Sequence, residues 1–363
     1  MNVHRPAETA IASRTANSPL DRNWEADIAA SQVNWNSRLA SYKSADNKRA
    51  TFELALTSSL FLFAWLLTWA VLQYSVILAL VIAIPTGGMM VRMFAIQHDC
   101  GHGAMFSSKH ANDWVGRLIG VLTLTPYEYW RHSHALHHAS SGNLDKRGFG
   151  DIETLTVNEY LALSRWGRLK YRLYRNPAVM FGIGPAYLFF FKQRLPIELM
   201  DKGAKPWIST IGTNLAIAAV FSGLIYLMGW RDFLVVQVSI ILIGASAGIW
   251  LFYVQHQFED TLWERAQNWK RENAALRGSS YYDLPKPLMW ITGNIGVHHV
   301  HHLSSSIPFH RLPQILRDYP ELKDIGRLTI WESVRCIPLA LWDEKSRELI
   351  SFRELNRRLK AGE

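Results

Sequence analysis

The sequence predicts an all-α membrane protein: four transmembrane helices in two hairpins, with a helical cap on one face of the bilayer. Three observations carry this expectation. Four uncharged apolar stretches approach the roughly 20 residues that cross a hydrocarbon core. They fall into two pairs with almost no linker, and the basic residues lie almost entirely on one side. The 363 residues are 49% hydrophobic and 19% charged, which excludes a disordered chain, and two cysteines exclude a disulfide scaffold. A mean hydropathy of −0.02 looks soluble. That average combines an apolar population with a charged one, and the two-domain soluble reading allowed by length falls away.

The apolar stretches are 54–72, 74–91 (with the span itself running to about 96), 208–228 and 233–254. Each is apolar all round and lacks the polar stripe of a surface helix. Gln73 alone separates the first two, and Gly229-Trp230-Arg231-Asp232 separates the others, so each pair crosses and returns. Two shorter runs, 118–124 and 178–191, cannot span and read as interfacial or re-entrant pieces. Residues 1–50 form a polar tail, not a signal peptide, because no apolar run precedes residue 50. The membrane domain then covers 51–325, and 326–363 form a C-terminal segment beside the cap.

Two hairpins place 1–53, 97–207 and 255–363 on the same side. Of the 39 Lys and Arg, Arg231 alone falls clearly on the other. The positive-inside rule makes the basic side cytoplasmic, and the net charge of +9 faces anionic headgroups. No nucleic-acid partner is expected, because no basic run with interleaved aromatics appears.

The cap also holds the chemistry. Of 14 histidines, most fall in three clusters: His98-Asp-Cys-Gly-His102, His132-Ser-His134-Ala-Leu-His137-His138, and His298-His299-Val-His301-His302. His256 follows the fourth span. If these segments are helical, residues at i, i+3 and i+4 share an arc of about 100°. That selects His98, His102, His134, His137, His138, His298, His301 and His302. His132 and His299 fall off these faces, Cys100 points away from its own, and His256 can supply a ninth imidazole. Imidazole suits iron, zinc, copper or nickel. Eight or nine exceed what one ion holds, so the residues point to two ions. A structural zinc site closes with four ligands, usually including cysteine.

At these residues the sequence resembles the membrane fatty acid desaturases, above all the bacterial acyl-lipid branch. The pattern is an HDCGH box followed by two HxxHH boxes, and the flanks WRHSHALHHASSGNLDKRGFGDIETLTVNEY (130–160), YVQHQFED (253–260) and GNIGVHHVHHL (293–303) share the likeness. It covers about residues 55–325. The resemblance implies a cytoplasmic cap holding two non-haem iron ions through the eight box histidines, with His256 as ninth ligand. It implies O₂-dependent insertion of a cis double bond into a lipid-linked acyl chain, in a bacterial inner membrane with both termini cytoplasmic. No cytochrome b5-like His-Pro-Gly-Gly segment is fused, so an external ferredoxin or flavodoxin would supply electrons. Ala104-Met105 and Phe309-His310 depart from the family pattern, so chain length and bond position do not carry over.

The second nitrogen of each ligating ring should meet an acceptor. Asp99, Glu128, Asp145, Asp151, Glu259 and Asp260 are near enough in sequence, and Asp260, one helical turn past His256, is the foremost. Alternatives remain at this stage. The same centre can hydroxylate or ketolate an acyl, alkane or carotenoid substrate. A haem-binding electron-transfer protein needs histidines within the spans, and a metal transporter needs ionisable groups at mid-membrane; the sequence has neither.

Overall fold

A computed structural model describes residues 33–148 and 150–362. Most of the expected polar tail, residues 1–32, therefore lies outside the described residues. Four long apolar helices dominate: α1 (Asn47–Leu72), α2 (Val76–Gly101), and, after the first part of the cap, α7 (Ala204–Met228) and α8 (Trp230–His256). Between the hairpins come α3 (Lys109–Leu122), α4 (Tyr127–Ser140), α5 (Arg165–Tyr174), and a π-helical turn Val179–Ile183 leading into α6 (Gly184–Phe190). After α8 come α9 (Arg271–Arg277), α10 (Lys286–Ile291), α11 (His298–Leu303) and α12 (Phe352–Ala361).

The hairpins are punctuated by residues suited to the task. Asp46 caps α1 by accepting from the Arg49 N–H at 3.0 Å, and Ser75 caps α2 through the Leu78 N–H at 3.3 Å. Gly229 links α7 to α8 at φ +84°, a conformation that costs a residue bearing Cβ. Large side chains such as Phe63, Ile77, Leu215 and Leu227 point outward from the helices. That is unfavourable in water and favourable in lipid. The helices meet through small residues: a Cβ at Gly87 would lie 2.6 Å from Ile243 Cγ2, so α2 and α8 approach closely. At the end away from the cap, Trp65 Nε1 donates to Gln237 Oε1 at 2.8 Å, and Gln73 Nε2 to Asp232 Oδ2 at 2.7 Å, joining the hairpins.

Neither short apolar run forms a span of its own. Residues 118–122 close α3, with Leu118 outward and Ile119 in the core, and 178–191 form the π turn and α6. The cap is largely helical, with small strands the sequence reading did not anticipate. β1 (Leu155–Thr156) pairs parallel with β4 (Leu339–Asp343), which pairs antiparallel with β5 (Glu348–Ser351). β2 (Tyr281–Tyr282) pairs parallel with β3 (Arg327–Leu328). These ladders tie the C-terminal segment to the histidine-bearing part of the cap. The main core is continuous from α1 and α2 through Val297, Val300 and Phe309, so spans and cap share one packed interior.

Candidate metal centre

The three histidine boxes do lie on helices. α2 extends past the membrane stretch to carry His98, with His102 at its C-cap; α4 carries His134, His137 and His138; α11 carries His298, His301 and His302. His256 is the last residue of α8. These nine converge as two groups. One is His98, His102, His134, His138 and His301; the other is His137, His256, His298 and His302. Within each group the ring nitrogens lie within 4.8 Å of one another. The excluded residues stay out. His132 and His110 are exposed, and His299 turns its Nε2 to the Leu322 carbonyl at 2.8 Å. Cys100 is buried in the hydrophobic core, and neither group includes it.

The hydrogen-bond partners orient two key rings. His256 Nδ1 lies 3.0 Å from the Gly278 carbonyl, which can only accept, so Nδ1 carries the proton and Nε2 is a bare lone pair. His137 Nδ1 meets the Asp151 carboxylate, which fixes the orientation of that ring. The two Nε2 atoms face each other at 3.2 Å, and His298 Nε2 lies 3.0 Å from His256 Nε2. The one lone pair on His256 Nε2 can accept from only one of these two neighbours, so a cation shared among the three nitrogens accounts for the crowding. In the other group, His134 Nε2 is 3.1 Å from both His102 and His138 Nε2, and His301 Nε2 is 3.1 Å from His138 Nε2. One ring nitrogen has one in-plane bonding site, so it cannot serve two neighbours as hydrogen bonds. Ligands about 2.1 Å from one ion and at right angles lie about 3.0 Å apart. The donor set therefore fits two metal ions.

Electrostatics agree. Burial, reinforced by neighbouring imidazoles, pushes His298, His301 and His302 well below the ordinary histidine range, so each stays neutral with a lone pair free to bind metal. Trp130 stacks on His134 with ring centroids 4.7 Å apart, and Phe252 lies 5.1 Å from His137 and 5.3 Å from His256. Both aromatics wall the centre, and neither was singled out from sequence.

The expected acceptors divide. Asp151 serves His137, and Asp99 Oδ1 lies 3.3 Å from His98 Nδ1 while its Oδ2 accepts the Phe309 N–H at 2.6 Å. Glu128 pairs instead with Arg117, and Asp145 with Arg265. The expectation that Asp260 holds His256 is corrected: the acceptor is the Gly278 carbonyl. The chain leaves the helix at Gln257 (φ −114°), so residue 260 no longer lies one turn further along.

Comparison with known proteins places these features. The sequence profile of the fatty acid desaturase family matches residues 75–333. The chain is 44% identical over 333 residues to a fatty acid desaturase of Bacillus subtilis, covering 91% of this chain and 94% of that protein. It is 32% identical over 233 residues to an sn-1 acyl-lipid omega-3 desaturase (ferredoxin) of Synechocystis, covering 62% and 63% of the two chains. With an sn-1 oleoyl-lipid 12-desaturase of Anabaena variabilis the identity is 24% over 262 residues, covering 62% of this chain and 64% of that one. The family match takes in all three histidine boxes and His256, and on that ground this chain belongs to the fatty acid desaturase family, whose members are oxidoreductases acting on fatty acids.

Proposed function

We propose that the protein inserts a cis double bond into a lipid-linked fatty acyl chain, at a di-iron centre on the cytoplasmic face of a bacterial inner membrane. The observation that carries the metal reading is the crowding of ring nitrogens: the single Nε2 lone pair of His256, whose proton is held on Nδ1, faces both His137 Nε2 at 3.2 Å and His298 Nε2 at 3.0 Å. His98, His102, His134, His138 and His301 would hold one ion; His137, His256, His298 and His302 the other. Bound there, two iron ions supply the one-electron oxidising chemistry that an unactivated CH₂–CH₂ unit requires. The overall balance is one acyl CH₂–CH₂, O₂, two electrons and two protons in, and one CH=CH and two waters out.

The chain's own residues position and shield. Asp151 and the Gly278 carbonyl lock ring orientation and raise ligand basicity. Trp130 and Phe252 give the centre apolar walls beside which an alkyl chain can lie. A small cavity lined by Gly142, Ile152, Leu262 and Trp263 adjoins Asp151 and His256. Four outward-facing apolar helices keep the protein where its substrate is dissolved. The skew of basic residues supports a cytoplasmic cap. The name of the Synechocystis relative specifies ferredoxin, and a basic cap would attract such an acidic donor.

Fatty-acid profiling of host lipids tests this reading, with wild type compared with His137→Ala. A new unsaturated chain, present with the wild type and absent with the variant, is expected in the glycerolipid fraction. Unchanged acyl chains alongside a hydroxylated or ketolated product would overturn it.

A further inference from the structure

The helix α5 (Arg165–Tyr174) is built inside out for a protein in water. Its exposed side carries Trp166, Leu169 and Leu173, which are 73%, 44% and 53% exposed. Its inward side carries polar groups. Tyr171 OH donates to the Ala340 carbonyl at 2.6 Å, Arg175 at its C-cap donates to Gln257 Oε1 at 2.9 Å, and Arg168 Nε donates to the Leu163 carbonyl at 3.1 Å. At 100° per residue, Leu169 and Leu173 fall about 60° and 20° to one side of Trp166, so the three form a narrow stripe. Arg165 lies about 40° beyond Leu169, and Lys170 about 40° beyond Trp166 on the other flank. Both cations are exposed, and neither enters an ion pair among the described residues.

The end of α5 packs against the cap end of the fourth span. Arg175 lies over the Tyr253 ring, 5.5 Å from its centroid, so the end of α5 is level with the cap end of α8. The π turn that follows buries Met180 against Leu251, Tyr253 and Val254, again at that end. Beyond it Ile183, Tyr187 and Phe191 continue the exposed apolar surface. An apolar stripe flanked by cations and level with a span's end matches the headgroup boundary, where aromatic and aliphatic groups enter the acyl region and Arg and Lys reach up to phosphates.

We infer that α5 is an in-plane membrane helix, seated on anionic phospholipid through Trp166, Leu169 and Leu173 and flanked by Arg165 and Lys170. The inference rests on the reading that α1, α2, α7 and α8 cross the bilayer. Its consequence is that the lipid surface braces the segment between the second histidine box and the third span. Arg175 and Tyr171 connect that segment to Leu339 and Ala340 in the cap.

The test uses the full chain with an environment-sensitive fluorophore on Leu169→Cys, and separately on Leu173→Cys; the native Cys100 and Cys336 are buried. The protein is reconstituted in phosphatidylcholine vesicles with or without phosphatidylglycerol. Quenching by a lipid with a nitroxide high on its acyl chain is compared with quenching by aqueous iodide. Both probes are expected to be quenched by the lipid and shielded from iodide. Phosphatidylglycerol should raise the ratio of seated to free helix roughly five-fold per flanking cation. Arg165→Gln with Lys170→Gln should abolish that dependence. A probe on Leu215→Cys, outward on α7, reports the spans independently. Lipid quenching at 215 but iodide quenching at 169 and 173 would overturn the in-plane helix and leave the four-span reading standing. Shielding from both quenchers at 169 and 173 would identify a contact with a second copy of the chain, and equally overturn it. Absence of lipid quenching at 215 would overturn the four-span reading itself.

Discussion

Removing Arg92 should destabilise the protein by several kcal/mol, and removing its partner as well should restore part of that loss. Arg92 sits in α2 between the membrane stretch and the first histidine box, with its side chain 1% exposed against a Glu53 side chain 2% exposed. Its Nη2 donates to Glu53 Oε2 at 2.5 Å, its Nε to Thr57 Oγ1 at 3.2 Å, and its Nη1 to the Trp290 carbonyl. The guanidinium also lies 4.0 Å from the Trp290 ring centroid. One side chain thus ties α1, α2 and α10 together just below the cap. Taking one member from such a buried pair costs about 3–5 kcal/mol, because the buried Glu53 carboxylate then keeps only the half-exposed Arg49, at 2.6 Å, as a charged partner. Replacing both by apolar groups of similar volume removes that penalty. At roughly 2 °C per kcal/mol for a large chain, Arg92→Leu should lower the melting midpoint by roughly 6–10 °C. The double variant Glu53→Leu/Arg92→Leu should lie well above the sum of the single effects. Thermal unfolding in detergent, followed by size exclusion, measures all four corners of this cycle. An Arg92→Leu midpoint within about 1 °C of wild type, or strict additivity in the double variant, would refute the argument.

Three further outcomes follow from the same geometry. Asp151→Asn can present an N–H where His137 needs an acceptor, so metal affinity should fall by about 10–100-fold while the fold persists, measured by chelator competition. His256→Ala should lower metal content and abolish new double bonds, whereas His132→Ala, exposed on the far side of α4, should change neither; equal losses in both would contradict the sorting by helical face. In metal-free protein, His298, His301 and His302 have pKa values lowered by burial. The unfolded chain then binds more protons than the folded one below about pH 6.5, so stability should fall as the pH drops from there. Metal-loaded protein should resist the same acidification, and chemical denaturation across pH compares the two states.

Much of this architecture is legible in the sequence because lipid imposes a strict rule on composition. The four helices coincide with the four uncharged stretches, and their ends differ where the chain changes solvent. α1 begins earlier, at Asn47, because Lys48, Arg49 and Glu53 form its first turns outside an uncharged window. α2 runs on to Gly101 because the first box continues the same helix out of the bilayer. The histidine faces were also legible, since helical spacing alone separates His134, His137 and His138 from His132. What lay out of reach depends on contacts distant in sequence. The acceptor for His256 is a backbone carbonyl, which every residue carries, so no residue type marks Gly278. The Asp260 expectation extended a helix one turn past its end. The Glu53–Arg92 pair left only a faint trace, one charged residue bordering each of two adjacent uncharged stretches. The two-residue strands β1, β2 and β3 are too short to show an alternating pattern.

Iron-edge anomalous scattering from crystals of protein expressed with iron tests the central claim most directly. The account predicts two separate iron peaks per chain, one inside the His98, His102, His134, His138 and His301 group and one inside the His137, His256, His298 and His302 group. A single peak, two peaks that scatter at the zinc edge alone, or iron lying outside these nine imidazoles would contradict it.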